Sequence, residues 1–124
     1  MNSDSKDKKR WRLLYSFKYA IEGIRHGIIN ERNLKIHTVC AILVVILGFV
    51  FRIDRVEWMF VLFAIGGMFS LELINTAIER TVDYISPQFH LLAKQAKDAA
   101  AGAVFIYACL SVIIGCIIFL PKIF

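Results

Sequence analysis

Apolar residues recur through Trp11–Arg32 at steps of three and four: Leu14, Phe17, Ile21, Ile24 and Ile28. That is the period of an amphipathic helix, and the opposite side carries Arg12, Lys18, Glu22 and Arg25. A helix that is basic on one face and aromatic on the other lies in a membrane interface; packing on soluble protein is the alternative. Before it, Met1–Arg10 is polar and charged with no apolar face, and reads as a mobile tail. Three longer apolar runs follow. Ile36–Phe51 is sixteen residues without a formal charge, short of the ~20 that a spanning helix needs. His37 and Thr38 at its start and Arg52 at its end extend it toward headgroups. Trp58–Ile78 holds a single ionisable group, Glu72, and Ala99–Leu120 is the third run, at twenty-two residues. Arg52–Glu57 is a tight charged connection. The polar stretch Glu79–Asp98 contains Ser86-Pro87, which ends a helix, and Phe89 to Ala96 reads as a short interfacial helix. The pattern predicts an all-α integral membrane protein. An interfacial helix over about 11–32 precedes spans over about 36–51, 58–78 and 99–120, forming one membrane domain over residues 11–124.

Composition agrees with a lipid environment. Of 124 residues 58% are apolar and 20% charged, against roughly 45–50% apolar in an ordinary soluble domain. A soluble globule of this length has too much surface for its volume to bury such an excess. Disorder and a collagenous repeat are excluded, and no stretch reads as a secretory signal. The net charge of +5 points to anionic headgroups rather than nucleic acid in so apolar a chain. With three spans, one side holds nine basic residues before the first span and three in the second connection, whereas the other holds Arg52, Arg55 and Lys122. Twelve against three predicts a cytoplasmic N-terminus and an external C-terminus. Cys40, Cys109 and Cys116 lie in apolar runs without metal-ligand spacing and read as small packing hydrophobes.

The chemistry concentrates in Glu72-Leu-Ile-Asn75-Thr-Ala-Ile-Glu79-Arg-Thr-Val-Asp83. Positions 72, 75, 76, 79 and 83 share one helical face. Glu72 and Glu79 stand about 10 Å apart along the axis at 1.5 Å per residue. One carboxylate therefore sits inside the apolar layer and the other near its boundary. Inserting an acid into lipid costs about 2.5 kcal/mol or more, so an intramembrane Glu is a functional candidate by default; a hydrogen bond for assembly is the alternative. Glu31, at the end of the interfacial helix, can share the depth of Glu79, and two such carboxylates with phosphate oxygens suit Mg²⁺. Lys97 and Asp98 precede Ala99-Ala-Ala-Gly102-Ala103, small residues that let helices approach closely. Lys97 can face a phosphate, or the pair can be a solvated boundary. No GxxxxGK[ST], HRD or DFG is present, which excludes the P-loop and protein-kinase solutions to a nucleotide site. Two classes stay open on these residues alone: an enzyme with a carboxylate-rich site, or a small transporter subunit in which Glu72 carries coupled protons.

Glu72-Leu-Ile-Asn75-Thr-Ala-Ile-Glu79-x-x-x-Asp83 followed by Ala96-Lys97-Asp98-Ala-Ala-Ala-Gly102-Ala-Val closely resembles the signature of the small prokaryotic diacylglycerol kinases. Ser16-Phe-Lys-Tyr19-Ala and Asn30-Glu31-Arg-Asn-Leu-Lys-Ile-His37 match as well, and the resemblance runs from about Arg12 to the C-terminus. It implies a membrane homotrimer with active sites shared between subunits, moving the γ-phosphate of ATP-Mg onto a lipid hydroxyl. By position, Glu72 resembles the family's catalytic base and Asn75 a polar active-site residue. Glu31 and Glu79 resemble the pair that holds the nucleotide's metal. Tyr19, His90, Lys97 and Asp98 match ATP-contacting positions. Gln88 stands where some members carry a Glu beside the adenine and ribose, a departure whose amide still accepts or donates a hydrogen bond. The Asn30–His37 block and the Phe119-Leu-Pro-Lys-Ile tail look like the Gram-positive branch, whose members often phosphorylate undecaprenol; diacylglycerol is the alternative substrate.

Overall fold

The computed structural model describes residues 2–124 as four helices: α1 (Asn2–Asn30), α2 (Arg32–Val50), α3 (Arg55–Ile85) and α4 (Leu91–Ile123). The last three are each long and apolar enough to cross a membrane. α1 is the interfacial helix, with Trp11, Leu14 and Phe17 on its exposed surface. α3 packs most extensively on α4, then on α2, and α1 touches α2 and α3. The accessible surface is 9824 Å², against ~6,800 Å² for a compact soluble protein of this mass. The outward faces are therefore built for lipid or for other chains.

The starts of α1 and α4 lie well before the expected ones, for one reason. α1 begins at Asn2, so the described part of the segment expected as a mobile tail forms its first turns. That stretch has no Gly or Pro, and an Asp4–Lys8 pair one turn apart supports it. Likewise, no separate helix covers Phe89 to Ala96; α4 runs unbroken from Leu91 through the third span. Lys94, Gln95, Ala96 and Lys97 are good helix formers, and polarity alone does not end a helix. Ser86-Pro87 does end α3, where Ser86 is the C-cap.

At the end remote from Glu79, α2 closes in a Schellman turn. Ile53 N–H donates to Gly48 O at 3.1 Å and Arg52 N–H to Phe49 O at 3.3 Å, with Arg52 in the left-handed region at φ 50°. Asp54 then caps α3 through a reciprocal box with Glu57, at 2.8 and 3.0 Å. Glu57 also accepts from Lys122 Nζ at 3.1 Å, joining the start of α3 to the end of α4. Beneath this turn Ile53, Val61, Ile118 and Phe119 form the buried apolar cluster. Two glycines set helix spacing. A Cβ at Gly27 would lie 2.8 Å from both Leu34 Cδ1 and Leu73 Cδ2, so its absence lets α1 dock at the α2–α3 seam. A Cβ at Gly67 would overlap the hydroxyl end of the Tyr107 ring, and that hydroxyl donates to Phe63 O at 2.6 Å across α3–α4.

Candidate active site

The polar face of α3 turns into the bundle rather than toward lipid. Glu72 is 3% exposed, Asn75 7% and Thr76 8%; Glu79 is half-buried and Asp83 exposed. The face thus grades from a buried acid to a solvated one over three turns, as the 72, 75, 76, 79, 83 spacing predicts. Asn75 Nδ2 donates to Glu79 Oε1 at 3.3 Å one turn away, while Asn75 Oδ1 is buried without a partner. That orphaned acceptor lies beside the carboxylate.

His37 of α2 meets Glu72: its Nε2 lies 3.3 Å from Glu72 Oε1. This replaces the expectation that His37 reaches headgroups. The hydroxyl of Thr38 donates to Leu34 O at 2.7 Å within α2.

Glu31 is the break between α1 and α2, with extended backbone at the N-cap position of α2. Its Oε1 accepts from Arg80 Nη2 at 2.7 Å, and Arg80 Nη1 donates to His26 Nδ1 at 3.1 Å. Since Arg80 directly follows Glu79, Glu31 lies at the same level of the bundle as the first exposed turn of α3. Glu31 and Glu79 do not bond one another, and the carboxylate of Glu31 is held by a cation.

A second cluster lies where α3 hands over to α4. A surface depression of about 390 Å³ is lined by Asp83, Gln88, His90, Lys94, Lys97 and Asp98 among others. Lys97 Nζ donates to Asp83 Oδ1 at 2.7 Å. This hydrogen bond holds the ammonium above the usual lysine range against the opposing effect of desolvation, with the fields of Asp83 and Glu79 adding to it. Lys97 is therefore a fixed cation within the electrostatic reach of Glu79. Asp98 pairs with Lys94 one turn back in α4. His90 caps α4, with Nδ1 accepting from Leu92 N–H at 3.1 Å, which leaves Nε2 as the ring's donor. Gln88 is exposed, and its backbone carbonyl accepts from Ser86 Oγ. Gln88, His90, Lys97 and Asp98 are thus brought together in one place. Tyr19 is not: it is 64% exposed on α1 and stacks on Tyr15 at 6.3 Å.

Sequence reasoning missed His37 and Arg80 as partners of the acids, and His26 as a partner of Arg80. Arg80 had a signal in its place beside Glu79. His37 had none, since 35 residues separate it from Glu72 and only the pairing of α2 with α3 joins them.

The family model for prokaryotic diacylglycerol kinase matches residues 18–119. The undecaprenol kinase of Bacillus subtilis (strain 168) is 52% identical to this chain, the alignment covering 96% of this chain and 98% of that enzyme. A diacylglycerol kinase of Haemophilus influenzae is 30% identical over 79% of this chain and 83% of its own. That of Escherichia coli (strain K12) is 29% identical over 86% and 88%. A buried acid on α3, a polar depression where α3 hands over to α4 and a match over most of the chain converge: the chain belongs to the prokaryotic diacylglycerol kinase family of ATP-dependent lipid kinases.

Proposed function

We propose that this protein transfers the γ-phosphate of ATP to the hydroxyl of undecaprenol, with Glu72 as the general base. The 52% identity to an undecaprenol kinase across nearly the full length of both chains carries the choice of lipid; diacylglycerol is the second substrate, favoured by the more distant relatives. Family membership removes the transporter alternative. The reading places the N-terminus in the cytoplasm and the C-terminus outside, in keeping with twelve basic residues against three. It also takes the working unit as a homotrimer with shared sites, to which the large uncovered surface of a single chain is suited.

Glu31 and Glu79 supply hard oxygen donors, and the unpartnered Asn75 Oδ1 beside Glu79 is a further acceptor, so the donor set fits Mg²⁺. Held by these residues, Mg²⁺ would supply positive charge against the negative charge that develops in phosphoryl transfer. Glu31 takes part once its carboxylate parts from Arg80, which leaves that guanidinium free beside the phosphates. Lys97, held charged by Asp83, offers a second cation to the nucleotide. Gln88, His90 and Asp98 border the depression that receives it, and Tyr19 contributes from α1. Glu72 accepts the proton of the lipid hydroxyl as its oxygen attacks the γ-phosphorus, and the phosphoryl–ADP bond breaks. Burial of Glu72 excludes water, a competing acceptor, from the attacking side.

The test is ADP release by purified protein in detergent with ATP-Mg and a panel of lipid alcohols. Undecaprenol should give the highest kcat/KM, with diacylglycerol below it. Equal or reversed preference refutes the lipid assignment, and ADP release independent of any lipid refutes the transfer reaction.

A further inference from the structure

Glu72 is almost wholly enclosed, and among the described residues His37 is the side chain bonded to it. An ionised carboxylate offers about four acceptor positions and no donor. Whenever Glu72 is in the form that can take a proton, the hydrogen between Glu72 and His37 therefore belongs to His37 Nε2. That hydrogen bond occupies Oε1 and leaves Oε2 free. The two residues come from different helices, α2 and α3, so the bond fixes the carboxylate across the helix seam rather than within one helix.

His37 faces two ways. Its ring also lines an apolar cavity of about 340 Å³ between α2, α3 and α4, with Cys40, Met68, Phe69 and Ser111 among the walls. Nε2 of the imidazole holds the acid, and the space that the residue lines is of a size that admits a small planar molecule.

We propose that His37 is a positioning residue for the phosphoryl transfer: by donating from Nε2 to Glu72 Oε1 it aims Oε2 at the acceptor hydroxyl. The inference rests on Glu72 being the base. A glutamate reaches that hydroxyl through three rotatable bonds, and a reacting group misplaced by about 1 Å loses on the order of 10²-fold in rate. His37 itself need not touch substrate.

The experiment compares His37→Ala, His37→Gln, Glu72→Gln and the double variant His37→Ala/Glu72→Gln in detergent. It measures lipid-dependent kcat, KM for ATP and lipid, and nucleotide binding in each preparation. His37→Ala should lose about 10²-fold in kcat with both KM values within about twofold of the parent. His37→Gln, whose amide donates from a similar reach, should recover most of that loss. Free imidazole, admitted by the neighbouring cavity, should recover part of it in His37→Ala and none in Glu72→Gln. In the Glu72→Gln background, His37→Ala should cost nothing further, because the group it aims is gone. Parent-like kcat in His37→Ala beside a crippled Glu72→Gln overturns the inference and leaves the base intact. A His37→Ala loss that neither Gln nor imidazole repairs, and that adds to the Glu72→Gln loss, makes His37 structural and also overturns it. Near-parent turnover in Glu72→Gln removes the base, and the inference with it.

Discussion

Two adjacent glycines in α3 face different surroundings, and alanine at each should have opposite effects. A methyl at Gly66 meets nothing within 4 Å, and Gly66 is exposed. A methyl at Gly67 would overlap the hydroxyl end of the Tyr107 ring. That ring is rigid and is tied to Phe63 O through its hydroxyl at 2.6 Å, so it cannot step aside without losing the bond. Overfilling a packed seam costs about 1–3 kcal/mol, and the lost hydrogen bond about 0.5–1.5 kcal/mol. Both substitutions gain roughly 1 kcal/mol of helix propensity. Gly67→Ala should therefore be destabilised by about 0.5–3.5 kcal/mol, and Gly66→Ala should be neutral or stabilised by up to about 1 kcal/mol. Reversible denaturation in mixed detergent micelles, followed by near-ultraviolet circular dichroism of the aromatic residues, measures both. Tyr107→Phe with Gly67 kept measures the hydrogen bond by itself, because no added methyl is present to clash. Equal stability of the two alanine variants would refute the close approach of α3 and α4 at Gly67.

Glu72→Gln preserves size and can still accept from His37, so it should fold and bind ATP nearly as before yet lose about 10²- to 10⁴-fold in turnover; Glu72→Asp, one methylene shorter, should also be poor, and near-parent lipid-dependent ADP release in either sinks the base assignment. Glu31→Gln and Glu79→Gln should each shift the magnesium dependence of ATP turnover strongly, and the double variant should be little worse than the poorer single one. Additive losses would show independent roles, and an unchanged magnesium titration in Glu79→Gln would take that residue out of the site. A tag after Phe124 should be reachable from outside intact cells and one before Met1 should not; the reverse would separate the carboxylates from cytoplasmic ATP.

What could be read from the chain follows from the range of the interactions involved. The three spans were legible because hydrophobic patterning is local, as was the polar face of α3, whose members recur within one helix. Glu31 was legible as a boundary and became the residue between α1 and α2. The start of α4 was misplaced because the change from polar to apolar at Ala99 marks a change of solvent, not of backbone conformation. Arg52 gave no sign of its left-handed backbone, a position where glycine is the common choice. The His37–Glu72 and Arg80–Glu31 pairs were hidden for another reason. Each joins different helices, and only their packing decides which polar residues meet.

The outward faces have a consequence for how this sequence can vary. Lipid tails are as apolar as leucine, so association of helices inside a bilayer draws little from the hydrophobic effect and depends on close fit and hydrogen bonds. Positions such as Phe63, Ile106 and Ile117, all more than two-thirds exposed, need only be greasy where lipid covers them, and many side chains satisfy that demand. Gly27, Gly67, Tyr107 and the Glu57–Lys122 tie must be what they are. The specification of the fold is thus unevenly spread. Long stretches could drift among Leu, Ile, Val and Phe with little effect, while a handful of small or polar letters carry the instructions for which helix lies against which.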